Sequence, residues 1–150
     1  MVKTELINEL KLSLPSYSVN ESAARAMVSA FCASLNPTVD ELSDIRCAVS
    51  EAVTNSIVHG YRNTIGVIFI AVRLYSDRTV KIEIKDKGCG IPNVEEALQP
   101  LFTTDPAGER SGMGFTVMEN FTDAVSVRSA VGKGTKVTMK KKLSKLPQPR

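Results

Sequence analysis

Tryptophan is absent from this chain, histidine occurs once, and only 5% of its 150 residues are aromatic. Leu, Ile, Val and Ala must therefore build the interior, and a chain of this length can bury an ordinary core. No apolar run approaches the roughly 20 residues needed to cross a bilayer. The opening Met1-Val2-Lys3-Thr4-Glu5 sets an acid where a signal peptide carries its apolar stretch, so the expected location is the cytoplasm. The three cysteines, Cys32, Cys47 and Cys89, are widely spaced and form no CxxC pair. With His59 as the single histidine they complete no familiar zinc pattern. Reduced thiols are expected, with Cys32 and Cys47 acting as small buried hydrophobes.

Acidic residues are missing from Lys133 onward, where seven basic residues gather in a chain of net charge +3. Such an edge is what a nucleic-acid patch would require. Alternating lysines followed by Pro147 and Pro149 read more simply as a solvent-facing strand and a flexible basic tail from about 143. Direct contact with nucleic acid or a membrane is not expected. Without internal repeats or low-complexity linkers, residues 1–150 read as one domain.

Hydrophobic periodicity then orders the elements. Leu6, Leu10, Leu12 and Leu14 share one parity, which predicts a strand ended by Pro15. Ser18-x-x-Glu21 resembles a capping box ahead of Ala23, Ala24, Met27, Ala30 and Phe31 at helical spacing. Asn36-Pro37 breaks that helix. A second box, Thr38-x-x-Glu41, opens a helix marked by Leu42, Ile45, Val49, Ala52, Val53 and Ile57 and stopped near Gly60. Strands over 67–74 and 79–85 flank a Ser76-Asp77-Arg78 turn. A short helix is expected near 94–98 and another from about Gly112 to Phe121. Strands over 124–129 and 135–141, joined through Gly132 and Gly134, complete the chain. Runs of adjacent strands predict an α+β two-layer sandwich, its mixed sheet mainly antiparallel and its helices on one face.

Four motifs carry the chemistry. Glu51, Asn55 and His59 recur at i, i+4 and i+8 within Ser50-Glu51-Ala52-Val53-Thr54-Asn55-Ser56 and beyond, on one stripe of the second helix. Polar groups so close to a buried face need partners, and a metal-bound phosphate is one candidate. His59, near the helix end, reads better as a structural hydrogen bonder than as a ligand. Asp86-Lys87-Gly88-Cys89-Gly90 follows a strand; its glycines let backbone approach a flat ligand, and Asp86 supplies an acceptor suited to an adenine amine. The same five residues also suit an ordinary strand-to-loop turn.

Ser111-Gly112-Met113-Gly114-Phe115 opens a helix, offering free amides and a positive dipole end to phosphates, with Arg110 in reach of a terminal phosphate. It lacks the Lys-Ser/Thr of a P-loop and the preceding strand of a Rossmann fingerprint. Gly132-Lys133-Gly134-Thr135 is, taken singly, a hairpin turn. The four in this order are far more specific than any one alone.

The ordered set resembles the N box and three glycine boxes of the GHKL superfamily, which shares the Bergerat ATP-binding fold. Within it, Ser50 to Asn55, His59-Gly60-Tyr61, Gln99 to Thr104, Glu109 to Phe115 and Met118 to Phe121 are similar to the family of anti-sigma F factors of spore-forming bacteria. The similarity runs from about Leu10 to Lys145. It implies a serine kinase using Mg-ATP that also holds a sigma factor, of the sigma F type, inactive and phosphorylates an anti-anti-sigma factor. By the same resemblance Glu51 is the general base and Asn55 the Mg²⁺ ligand. Asp86 takes the adenine amine, Gly88 and Gly90 shape the base pocket, and Thr135 supports it.

The resemblance likewise implies that Gly112 and Gly114 cover the phosphates and that Arg110 contacts the γ-phosphate. By the same resemblance Thr104, Ser111, Met113 and Phe115 are expected along the nucleotide, and Arg25 is expected to grip both protein partners. Residues 99–114 are expected to form a mobile lid answering to ADP or ATP, and the first strand to pair two copies into a homodimer. Cys89 occupies a variable position of its box.

Three other classes compete: a histidine-kinase catalytic domain, which would want a separate phosphoacceptor helix pair; a hydrolytic ATPase module; and a non-catalytic nucleotide-dependent binder. The nearest rival is a related anti-sigma serine kinase acting on a stress-response sigma factor.

Overall fold

The computed structural model describes residues 3–98 and 114–146. Strand β1 (Leu6–Pro15) leads into α1 (Asn20–Cys32) and α2 (Val39–Asn55), followed by the hairpin of β2 (Val67–Tyr75) and β3 (Thr79–Asp86). After the short α3 (Val94–Ala97) come α4 (Gly114–Phe121) and a second hairpin, β4 (Ala124–Ala130) and β5 (Gly134–Lys142). The sheet order is β1-β2-β3-β5-β4. Every ladder among the described residues is antiparallel, so the sheet is not mixed. β1 is an edge strand, as its pattern predicts.

Strand alternation explains the layering. Ile68, Ile70, Val72 and Leu74 of β2, with Val80, Ile82 and Ile84 of β3, are buried in one core with Ala24, Val28, Ile45, Val49, Val53 and Met118 of the helices. Leu10, Leu12 and Leu14 pack partly buried against it from the edge. On the other face, Arg73, Lys81 and Lys136 all pair with Glu83, at 3.0, 3.5 and 3.8 Å. Lysines on β5 therefore divide by parity. Lys136, Lys140 and Lys142 face away from the core, whereas Lys141 turns inward to Asp44 Oδ2 at 3.2 Å and the carbonyl of Phe121 at 3.0 Å.

Thr38 caps α2 as its motif predicts: its Oγ1 accepts from the Glu41 amide and Glu41 Oε1 accepts from the Thr38 amide. Thr38→Ala is expected to cost about 1 kcal/mol of stability, read by chemical denaturation. Ser18 does not cap α1. Val19 occupies the N-cap without a side-chain bond, and Glu21 is drawn instead to Ser50 and Arg25. The buried stripe of α1 is also set one step off the sequence pattern: Ala24, Val28 and Cys32 are inside, while Ala23 and Ala30 are exposed.

Burial pushes the Cys32 thiol up to about 12. Cys47 is exposed, contrary to its reading as a core residue, because it falls on the outer phase of α2. The segment expected to be a loose tail begins with a buried Leu143, and the Ser144 amide donates to Glu41 Oε2 at 2.7 Å.

Candidate nucleotide site

The site grows from the C-terminal end of α2. Beyond Asn55 the helix widens into a π-turn over Ser56–Gly60, closed by the Tyr61 amide donating to the Ser56 carbonyl at 2.9 Å. Such single π-turns recur at functional sites because the extra residue redirects neighbouring side chains. Here the consecutive residues Asn55 and Ser56 reach two different motifs. A Cβ on Gly114 would lie 2.9 Å from Asn55 Nδ2, so α4 starts directly against that carboxamide. Ser56 Oγ, buried, donates to Asp86 Oδ2 at 2.9 Å.

Asp86 ends β3 only 3% exposed. Its Oδ1 accepts from the Gly88 amide at 2.9 Å, closing the turn that begins the glycine loop. Burial raises the pKa of its carboxyl, and the Gly88 amide, the Ser56 hydroxyl and the Thr135 amide act in the opposite sense. Thr135 is also its cross-strand partner on β5. Thr135 Oγ1 meets Ser129 Oγ at 2.8 Å, and Ser129 Oγ accepts from the Ile91 amide at 2.7 Å, which ties the β4–β5 hairpin to the loop after Gly90.

The loop lies flat on the π-turn. The Cys89 amide donates to the Gly60 carbonyl at 2.9 Å, and a Cβ on Gly88 would sit 2.3 Å from that same oxygen. Backbone, not a movable side chain, blocks that position. Gly88→Ala is therefore expected to lower stability by about 1–3 kcal/mol through a forced backbone shift, measured as a fall in the denaturation midpoint. Tyr61 braces the arrangement, its hydroxyl accepting from the Lys87 amide at 2.8 Å and donating to the Val67 carbonyl.

Glu51 lies one turn before Asn55. It lines a hollow of about 310 Å³ together with Ser18, Glu21, Ser50, Thr54, Ile57 and Val58. Arg25 of α1 reaches the hollow's rim through Glu21 and Ser50. Phe115 packs partly buried against the core, and Gly90 takes φ +77° against the Ala130 carbonyl. Asn55, Asp86, Gly88, Gly114 and Thr135 thus converge on the end of α2, with Glu51 a turn away. Thr104, Arg110, Ser111, Gly112 and Met113 lie outside the described residues.

Sequence reading missed Ser56, Tyr61 and Ser129, which hold the predicted residues in place. Ser56 and Tyr61 stand inside motif stretches, Ser50 to Ser56 and His59 to Tyr61, but without a role; Ser129 left no trace. Among the described residues, no group of three or more His, Cys, Asp and Glu side chains is placed to hold a metal. A divalent cation would therefore depend on the Asn55 carboxamide oxygen, phosphate oxygens and water, the coordination that suits Mg²⁺. Asn55, at the end of α2 and against the start of α4, where the helix dipole favours an anion, fits that arrangement.

Comparison with known proteins gives the family and the fold. Residues 14–141 match the family model described as a histidine kinase-like ATPase domain. The anti-sigma F factor of Geobacillus sp. (strain WCH70) is 56% identical over 92% of this chain and 94% of that protein. Its counterpart from Clostridium acetobutylicum is 51% identical over 93% of the chain and 96% of its own length. The RsbU and RsbW domains of a Mycobacterium tuberculosis protein superpose with a TM-score of 0.66, at 20% identity, over 91% of this chain and 32% of that one. The mycobacterial sensor histidine kinase MprB gives 0.56 at 15% identity, over 90% of this chain and all of that one. These structures share the fold.

Proposed function

The chain belongs to the histidine kinase-like ATPase domains and, within them, to the family of anti-sigma F factors, and on that premise we propose that it is a nucleotide-dependent anti-sigma factor and serine kinase. In this reading it binds a sigma factor of the sigma F type and phosphorylates an anti-anti-sigma factor on serine. The observation that carries it is the junction at the end of α2, where Asn55 abuts Gly114 and Ser56 holds Asp86.

Asp86 accepts the adenine amine while Ser56, Gly88 and Thr135 keep its carboxylate oriented. Bound Mg-ATP supplies the transferable phosphoryl group and the charge that neutralises its oxygens. Asn55 would hold the metal, and the start of α4, which lies against Asn55, would supply a positive dipole end to the phosphates. Glu51, beside the hollow, removes the proton of an attacking serine hydroxyl. By the family resemblance, Arg110 is assigned to the γ-phosphate, and Thr104, Ser111, Gly112, Met113 and Phe115 to the nucleotide. Among the described residues no helix is long and apolar enough to span a membrane, compatible with action in the cytoplasm.

Incubation with Mg-ATP and a candidate anti-anti-sigma protein, followed by mass spectrometry, should reveal phosphoserine on that protein. Capture of the sigma factor should differ between ATP and ADP. Equal capture, with no phosphoserine, would leave only a nucleotide-binding module. Leu6 and Ile7 on the β1 edge are 51% and 54% exposed, which supports pairing of two copies along that strand.

A further inference from the structure

The hollow beside Glu51 has a rim drawn from two helices. Ser50 of α2 donates its hydroxyl to Glu21 Oε1 of α1. Arg25 Nη1 donates to the same carboxylate oxygen at 3.3 Å and to Ser50 Oγ at 3.2 Å. The three groups close a ring, with the Glu21 and Arg25 side chains 21% and 34% exposed. An i,i+4 Glu–Arg pair by itself contributes little and leaves both side chains free to change rotamer. A third group from another helix removes that freedom. Ser50 is also the residue directly before Glu51, so the ring is fastened to the same turn of α2 that presents the carboxylate to the hollow.

We propose that Ser50 is a positioning residue for the protein substrate: its hydroxyl sets the Arg25 guanidinium and the Glu21 carboxylate as a paired docking point for the acceptor-serine loop, beside Glu51. This rests on the kinase reading above. Among the described residues Arg25 uses only Nη1, so Nη2 and Nε keep donors for a carboxylate or main-chain carbonyl of that loop. Glu21 binds through Oε1, so Oε2 keeps acceptor capacity for an amide. The hollow's volume, about 310 Å³, admits a serine and its neighbours but not a folded surface. The occupant is therefore a protruding loop carrying both an acidic or carbonyl acceptor and the hydroxyl to be phosphorylated.

The test is steady-state phosphorylation by the full chain, with the protein substrate titrated, for wild type, Ser50→Ala, Ser50→Thr and Arg25→Ala. Loss of the Ser50 hydroxyl removes both of its positioning hydrogen bonds and predicts that Ser50→Ala raises KM for the protein substrate at least about fivefold, more than it lowers kcat. Ser50→Thr, which keeps the hydroxyl, restores KM. Adding Ser50→Ala to Arg25→Ala changes KM little further, because the serine acts through the arginine. ADP affinity, read by calorimetry, serves as the control for α2 integrity.

An unchanged KM in Ser50→Ala overturns the proposal, as does a parallel loss of kcat and ADP affinity, or failure of Ser50→Thr to rescue. Absence of phosphoserine with the wild-type chain would instead overturn the kinase reading itself. The two failures are thus distinguishable.

Discussion

Replacing Glu51 by glutamine is expected to lower the rate of serine phosphorylation by about 10²–10⁴-fold, the usual contribution of a positioned general base. Glutamine keeps the size and the hydrogen-bonding reach of the side chain but cannot take a proton at neutral pH. The variant should fold normally, since Glu51 lies partly exposed at the hollow, and not among the buried core residues of α2, Ala48, Val49, Ala52 and Val53. Nucleotide affinity should stay near wild type because the groups proposed to face the adenine, Asp86 with Ser56 and Thr135, are untouched. Single-turnover phosphorylation alongside ADP calorimetry separates these effects. A rate within tenfold of wild type would place the base elsewhere.

Asp86→Asn is expected to weaken adenine nucleotide binding by about 10- to 100-fold, the range for losing a hydrogen bond to a charged group. The local geometry explains why so small a change matters. Both carboxylate oxygens accept: one from the Gly88 amide, the other from Ser56 Oγ. A carboxamide has one acceptor and one donor. Its NH₂ cannot face the Gly88 N–H, so it must replace the oxygen facing Ser56, and the lone remaining oxygen is then committed to Gly88. Isothermal titration with ADP and with GDP would report the loss. Adenine affinity equal to wild type would remove Asp86 from the base pocket.

The same carboxyl gives a pH dependence of defined sign. Burial raises its folded-state pKa above the unfolded value. The folded chain therefore holds this proton more tightly than the unfolded chain over the window between the two values. Within that window stability falls as pH rises, and above the folded value the cost of the buried charge is fully present. Wild type should accordingly gain stability relative to Asp86→Asn as the pH is lowered from neutral through that window. Denaturant midpoints for both proteins across the acid range check it, and a gap that stayed constant or moved the other way would contradict the assignment.

Local signals determined much of this protein. The Thr38–Glu41 box and the apolar repeat from Leu42 to Ile57 define α2, alternating β-branched residues define β2 and β3, and Asp86-Lys87-Gly88-Cys89-Gly90 marks a close backbone approach. Each depends on residues within a turn or a strand of one another, so the order of amino acids suffices. What the tertiary structure decided involves partners distant in sequence. Ser18 and Glu21 have the spacing of a cap, yet Glu21 is claimed by Ser50, 29 positions away. Cys47 is as small and apolar as Cys32, but the phase of α2 against the sheet exposes one and the phase of α1 buries the other.

Lys141 looks like its neighbours and is pulled inward by Asp44, 97 positions earlier. The π-turn after Asn55 belongs to the same category, for it brings Ser56 to Asp86, 30 positions on, and lays the glycine loop on the end of α2. A polar side chain goes to whichever partner gives it the best desolvated hydrogen bond. When that partner lies on another element, only packing can select it.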